Sequence, residues 1–502
     1  MRAKKSFKNL IFNFFQQLVG IITNLILPPL IISKFGSAIN GLIQTIKQMM
    51  SYAQITGAGI SAASTYSMYE PLAKKDKKNI SGIYNATAKM FNKAGRLFTL
   101  IILIIAVVYP FFVNEEINAL VTFSLVIIIS VCGISEFFVF GKYQSIINAD
   151  QNNYIIAIAQ TIGNLCNILV TVLLIWLDQN IIVVQIGASI IYVARIVILY
   201  IYVKKHYKYL DENVKPMFDK INQKNDALVH QIAGLVVLSS STIIVSIFCG
   251  LKEASVFAVY NLVFAGLNTI CYIVSTSIYA SFGEVIAKKD NKTLINAFNI
   301  YEWFYFCMIF VIFIVTYIMI TPFIQVYTQG FTDINYVLPW LGILFVIVGL
   351  ANNIRVPSVT LVNAAGHYKQ TRNRAIIEMI INLVGQIVFV NVLGIYGVLV
   401  GCIMSYCYRT IDYIIYTHKY ILNISPKKSF IRLIINIVMS VLVIICCSFI
   451  TINVNNYIDW CMYAFGITLF VSLYFIIVNY FIERKTFIET KNLIFSIFKK
   501  IK

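Results

Sequence analysis

The sequence predicts an all-α integral membrane protein. Its fourteen transmembrane helices are expected to form two six-helix bundles in a parallel, pseudo-two-fold repeat, with two further helices at the C-terminus. Three observations predict this. Of the 502 residues, 59% are hydrophobic and 12% charged, against roughly 45–50% and about 25% in soluble chains. The apolar residues fall in blocks of about 20, the length that crosses a hydrocarbon core. One short basic string occurs twice: EPLAKKDKK at Glu70–Lys78 returns as EVIAKKDNK at Glu284–Lys292, 214 positions later.

The blocks run, in order, over 9–33, 38–66, 94–113, 119–140, 154–177, 181–203, 229–249, 255–280, 299–320, 337–362, 375–393, 395–417, 431–451 and 461–482. The first is too long and too polar for a signal-peptide core and reads as a retained span. The second is the most polar, holding Lys47 and several glutamines. The ten cysteines sit mostly inside apolar blocks and include no C-x-x-C pair, so they read as small apolar fillers. Four histidines and no G-x-x-x-x-G-K-[ST] string argue against metal-dependent or ATP-driven chemistry; no metal site and no cofactor are expected.

Orientation follows from the basic residues. With the N-terminus inside, the cytoplasmic segments hold 33 of the 40 Lys and Arg, while the outer segments hold only Lys34 and Lys252. That asymmetry is the positive-inside rule, and it places both termini in the cytoplasm. The net charge of +19 spreads over eight inner segments, which suits anionic membrane lipids rather than nucleic acid.

The shift of 214 also lays Gln17 over Gln231, and Tyr192 and Arg195 over Tyr406 and Arg409; Gln160 and Asn164 correspond to Glu378 and Asn382 after a small insertion. Spans one to six and seven to twelve therefore read as copies. Each has an even number of spans, so both enter from the same side, as a parallel repeat does. The expected organisation is an N-terminal bundle (1–210), a cytoplasmic linker (211–228), a second bundle (229–420), two last spans (431–482) and a cytoplasmic amphipathic tail (483–502).

Several spans carry polar residues three or four apart, hence on one helix face. Span one has Asn13, Gln16, Gln17 and Asn24; span five has Gln160, Asn164 and Asn167; span eleven has Glu378, Asn382 and Gln386. Any one stripe can be helix–helix glue; several on repeat-related helices favour a shared polar cavity suited to a sugar. The intramembrane cations are sharper. Arg195, Arg409 and Arg355 lie roughly 12 Å inside their spans at 1.5 Å per residue, and Lys47 lies in an outer half-span. A charge facing lipid at such depth costs at least about 2.5–3.5 kcal/mol. Asp412, three residues after Arg409, could neutralise it, whereas Arg195 and Arg355 have no acid within their own spans. The functional reading is a cationic cavity for an anion, with Arg matching phosphate bidentately. Proton or sodium coupling is assigned to Asp412, Glu378 and Glu302.

With these spans and repeats, the chain resembles the multidrug/oligosaccharidyl-lipid/polysaccharide exporter superfamily. The stretches PSVTLVNAAGHYKQTRNRAIIEMIINL (357–383) and GIYGVLVGCIMSYCYRTIDYIIY (394–416) look like the bacterial polysaccharide repeat-unit flippases. The resemblance implies a monomeric inner-membrane transporter, not an enzyme. It would carry an undecaprenyl-diphosphate-linked oligosaccharide to the outer leaflet by alternating access, for capsule or exopolysaccharide synthesis. An ion gradient would drive it, and a polysaccharide polymerase would be its partner. Arg195, Arg355, Arg409 and Lys47 would meet the diphosphate or acidic sugars; Gln16, Asn24, Asn164 and Asn382 would meet sugar hydroxyls. The alternatives are a peptidoglycan-precursor flippase, a multidrug or cation antiporter, and a membrane polymerase or glycosyltransferase. The drug-exporting branch often uses an acid in the first span, and none stands there.

Overall fold

The computed structural model describes residues 2–57, 59–113, 115–221, 225–449 and 452–501; the side chains at 2–4, 6, 7, 10, 225–227, 277, 280 and 493–501 lie outside that description. The elements are α1 (Arg2–Phe35), α2 (Ser37–Ala53), α3 (Ile60–Lys74), α4 (Lys77–Val108), α5 (Pro110–Val113), α6 (Ala119–Ser135), α7 (Gly141–Ala149), α8 (Asn153–Trp176), α9 (Ile181–His206), α10 (Asn225–Phe248) and α11 (Leu251–Ala287). They continue as α12 (Asn291–Tyr327), α13 (Pro339–Ile354), α14 (Val356–Ala364), α15 (Tyr368–Leu393), α16 (Ile395–Thr417), α17 (Lys427–Cys447), α18 (Tyr457–Ile482) and α19 (Arg484–Ile501). There is no strand among the described residues.

Thirteen helices among the described residues are long and apolar enough to cross a membrane. The expected fourteenth, the block at 38–66, is not one continuous helix. It breaks into α2, a 3₁₀ turn at Gln54–Gly57, and α3. Its polar content explains the difference: Gln44, Lys47, Gln48, Ser51 and Gln54 leave too little apolar surface for a single span.

The twice-occurring basic string encodes one local structure twice. In both copies a lysine takes the left-handed conformation that ends a helix: Lys75 has φ 54° and Lys289 has φ 56°. The following aspartate caps the next helix. Asp76 accepts from the Asn79 amide at 3.1 Å and Asp290 from the Thr293 amide at 3.0 Å. One turn before each stop, Lys74 donates to Glu70 and Lys288 to Glu284, both at 2.5 Å. The helices that follow, α4 and α12, begin 214 residues apart. A second correspondence lies at α6–α7 and α13–α14. The first junction is a π-helical turn, Glu136–Phe140; the second is a break at Arg355, where Pro357 removes a backbone donor.

The chain groups into two compact units, Met1–Val259 and Tyr260–Lys502. The segment 211–228, expected to separate the bundles, lies within the first unit, and so do α10 and the start of α11. The reason is visible in their bonds. Tyr52 donates to the Val236 carbonyl at 2.9 Å, Asn40 to Ser255 at 2.6 Å, and the Leu251 amide to Glu116 at 2.6 Å. A methyl on Gly41 would fall on the Leu251 carbonyl, so α2 and α11 meet backbone to backbone.

In the first unit one core joins α2, α4 and α6 through Leu42, Ile46, Phe98 and Val126. Another joins α3, α4, α7 and α9 through Met68, Ile83, Ile147 and Leu199. In the second unit Phe264 stacks on Phe345 at 5.2 Å, linking α11 to α13. The outer faces are apolar: Leu169, Trp176, Val392 and Phe449 are all more than two-thirds exposed. Water would penalise such faces; hydrocarbon does not.

The tail begins as expected with a helix, α19. Its first turns pack on α12 and α18, with Thr486 buried and Phe487 edge-on to Trp303 at 5.9 Å. The amphipathic face that the sequence suggests for the tail runs over Phe487, Ile488, Leu493, Ile494, Ile497 and Phe498, flanked by Lys491, Lys499, Lys500 and Lys502; from Leu493 on it lies outside the described side chains.

Candidate functional site: buried arginine clusters

In the first unit, the π turn that follows α6 presents the Glu136 carboxylate toward α9. A π turn inserts one extra residue and re-aims the side chains around it. Arg195 on α9, 5% exposed, donates through Nη2 to Glu136 at 2.7 Å. Tyr192 donates to the same oxygen at 3.0 Å, and Gln54, in the break after α2, donates to the other at 3.3 Å. The guanidinium lies 3.5 Å from the Tyr192 ring centroid and 5.0 Å from that of Phe140, so cation–π contacts add to the ion pair. Cys132, one turn before Glu136, is an electrostatic neighbour of Arg195, Glu136 and Lys47. Lys47 itself is exposed and has no carboxylate partner among the described residues.

In the second unit, three guanidinium groups meet two carboxylates. Arg355, at the α13–α14 break, donates to Glu378 on α15 and, at 2.7 Å, to Asn352. Arg409 on α16, fully buried, donates to Asp412 at 2.5 Å and lies 3.2 Å from Glu378. Arg374 donates to the other oxygen of Asp412. Each guanidinium faces a tyrosine ring: Arg355 over Tyr406 at 4.7 Å, Arg409 over Tyr413 at 3.8 Å, Arg374 over Tyr416 at 4.8 Å. Nη2 of Arg409 is buried and meets no hydrogen-bond acceptor among the described residues by distance and angle.

The repeat-related Arg195 and Arg409 thus take their acids from different helices, Glu136 on the α6–α7 junction and Glu378 on α15. Neither Glu136 nor Arg374 stood among the residues singled out for the site in the sequence. The signal for Glu136 was available, since it is the one acid of span four. The polar stripes divide. Asn382 is fully buried between α15 and α16, bonded to Ser405 at 2.9 Å and to Gln386 at 2.6 Å. It therefore closes a helix–helix contact here and does not line an open face, because α16 presents a serine opposite it. Gln16 is half-buried and Asn24 exposed on α1; Asn164 on α8 is half-buried, with its amide nitrogen 4.0 Å from where a Cβ on Gly20 would stand. Glu302 is 2% exposed and bound to Arg432 and Ser429, both at 2.7 Å. No metal-ligating cluster occurs among the described residues.

The fold is similar to that of several solved membrane transporters. A multidrug resistance transporter of the MATE family, in an inward-facing conformation, matches with a TM-score of 0.63 at 11% identity, covering 84% of this chain and 99% of its own. The lipid II flippase MurJ, in an inward closed conformation, matches with a TM-score of 0.57 at 15% identity, covering 94% of this chain and 98% of its own. A point mutant of the Vibrio cholerae MATE transporter VcmN matches with a TM-score of 0.57 at 14% identity, covering 84% of this chain and 98% of its own. No family model and no curated protein matches the sequence.

Proposed function

We propose that this chain is a flippase of the cell membrane. Its substrate would be a lipid that joins an anionic diphosphate to a polar glycan: an undecaprenyl-diphosphate-linked oligosaccharide, moved from the inner to the outer leaflet by alternating access. The observation that carries this reading is the surplus of positive charge in both clusters. Glu136, Glu378 and Asp412 are each held by a guanidinium, which leaves no free carboxylate in the clusters among the described residues for a cationic drug. Lys47, near the first cluster, has no carboxylate partner among the described residues, and in the second cluster three guanidinium groups share two carboxylates. A low-dielectric site with unbalanced positive charge draws an anion, and Arg receives phosphate in a two-pronged fork.

The same acids give an ion a means of acting. Neutralising Glu378 or Asp412 with a proton or sodium ion would free Arg355 or Arg409 for the phosphate. A peptidoglycan precursor shares the diphosphate chemistry and is the second reading.

Proteoliposomes carrying lipid-linked glycans with diphosphate or neutral headgroups test the proposal. Faster flipping of the diphosphate lipid, reduced at least about tenfold in Lys47→Ala and Arg374→Ala, is expected, the loss of about 1.4 kcal/mol. Equal flipping of the neutral lipid, or unchanged rates in both variants, would overturn it.

A further inference from the structure

A third buried cluster lies at the end of the second unit where α12 and α17 begin and α16 and α18 end. Arg432 of α17, 2% exposed, donates to Glu302 on α12 at 2.7 Å, and to both oxygens of Glu483, after α18, at 2.8 and 2.7 Å. Asn299 accepts from Arg432 at 2.9 Å and from Lys428 at 2.7 Å. Ser429 stands beside this network. Its Oγ is 2.7 Å from Glu302 Oε2 and 3.0 Å from Nε2 of His418, the first residue of the π turn that follows α16. His418 is 2% exposed, with Nδ1 2.8 Å from the Ile414 carbonyl and the Phe298 ring edge-on.

Counting hydrogens leads to an unusual result. A carbonyl only accepts, so Nδ1 of His418 carries a hydrogen. Ser429 has a single hydroxyl hydrogen but two partners, and an ionised Glu302 and a neutral Nε2 both only accept. With that one hydrogen, one of the two contacts would set lone pair against lone pair. One additional proton repairs both. On Nε2 it donates to Oγ, which then donates to Glu302. On Glu302 it donates to Oγ, which then donates to Nε2.

Charge bears on the same site. Of the two cations beside Glu302 and Glu483, only Arg432 is buried, and burial makes an uncompensated negative charge costly. Lys428 is 3.8 Å from Glu483 but 59% exposed, so it compensates only from the rim. The other titratable neighbours are Cys307 on α12 and Glu489 on α19, neither of which supplies a positive charge; Lys419 on the π turn is exposed.

We propose that His418, Ser429 and Glu302 form a buried proton-binding site, holding one proton beyond a neutral histidine and an ionised glutamate. The bound proton ties the end of α16 to α12 and α17, and so fastens α17 to its neighbours within the second unit. The site stands on its own hydrogen-bond count and not on the identity of the cargo.

The test is thermal unfolding of the full chain in detergent micelles between about pH 5 and 9, for the wild type, His418→Gln and Ser429→Ala. An unfolded histidine and glutamate release their protons near about pH 6.5 and 4.3. The native state retains one, so it binds more protons than the unfolded state and stability falls as pH rises. Above about pH 7 the wild type should lose up to about tenfold more in folding constant per pH unit than either variant. Parallel pH profiles in all three proteins would overturn the site. If His418→Gln does not fold, Ser429→Ala, which removes only the bridging oxygen, decides alone. As a second readout, ¹⁵N-histidine spectra should show a ring signal, missing from His418→Gln, that changes as the proton leaves. A ring neutral throughout places the proton on Glu302 if the wild-type stability profile is still the steeper one; a ring neutral throughout with parallel profiles overturns the site.

Discussion

Arg195 donates to Glu136 at 2.7 Å across a separation of 59 residues, the guanidinium buried and the carboxylate partly exposed. The relationship makes a buried cation tolerable inside the span. Removing the acid alone should therefore be worse than removing both partners, because a lone buried charge is left behind.

Glu136→Ala should lower stability by about 3–5 kcal/mol, while the Glu136→Leu/Arg195→Met pair should recover most of it. Thermal unfolding of the three proteins in detergent checks this. A double variant as unstable as the single would show that the pair does not act as a unit.

Arg409→Lys should keep the charge but lose the simultaneous approach to Asp412 and Glu378, since an ammonium lacks the planar fork. Flipping of a diphosphate lipid should fall in Arg409→Lys and be abolished in Arg409→Ala, with membrane abundance measured alongside. Full activity in the lysine variant would remove the fork geometry from the mechanism.

Helices α15 and α16 touch at backbone distance. A methyl on Gly401 would fall on the backbone of Gly385 and Gln386, and one on Gly397 on the Phe389 carbonyl. Gly401→Ala should cost about 1–3 kcal/mol or more, since backbone cannot step aside as a side chain can. Gly466→Ala, where a methyl meets nothing within 4 Å, should leave the unfolding temperature unchanged. Similar values for the two variants would contradict the packing.

The caps supply a pH dependence of known sign. The Asn79 amide and side chain, bonding to Asp76, hold its carboxyl below the usual range; the Thr293 hydroxyl and amide do the same for Asp290. A depressed carboxyl stabilises the fold above its unfolded value, near about 3.9, and that contribution is lost as pH falls through the folded value. The first-turn amides of α4 and α12 should exchange faster in Asp76→Ala and Asp290→Ala at neutral pH. The difference from wild type should vanish in strong acid. A difference independent of pH would assign the effect to something other than the charged cap.

The repeated turn was legible because its chemistry is local. A lysine in the left-handed region and a capping aspartate need only their own neighbours, so AKKD reads the same at Lys75–Asp76 and Lys289–Asp290. The depth of Arg195, Arg355 and Arg409 was legible for a similar reason, since a span's length and a helix's rise locate a residue without its neighbours. Their partners were not. Asp412 could be foreseen beside Arg409 because it follows by one turn. Glu136 and Glu378 arrive on other helices, and a polar stripe records which side of a helix is wet without naming what faces it. Asn382 shows the consequence: its stripe reads as a cavity wall, yet Ser405 closes over it.

By itself, then, the sequence determined the solvent this chain folds in, the run of apolar helices, and the local turns that occur twice. These follow from hydropathy and from interactions within a few residues. Only the tertiary structure decided that α10 joins the first unit, that the block at 38–66 is broken, and that each buried guanidinium meets a carboxylate. Those outcomes depend on which helix faces came together, and periodicity along one helix carries no record of the helix beside it.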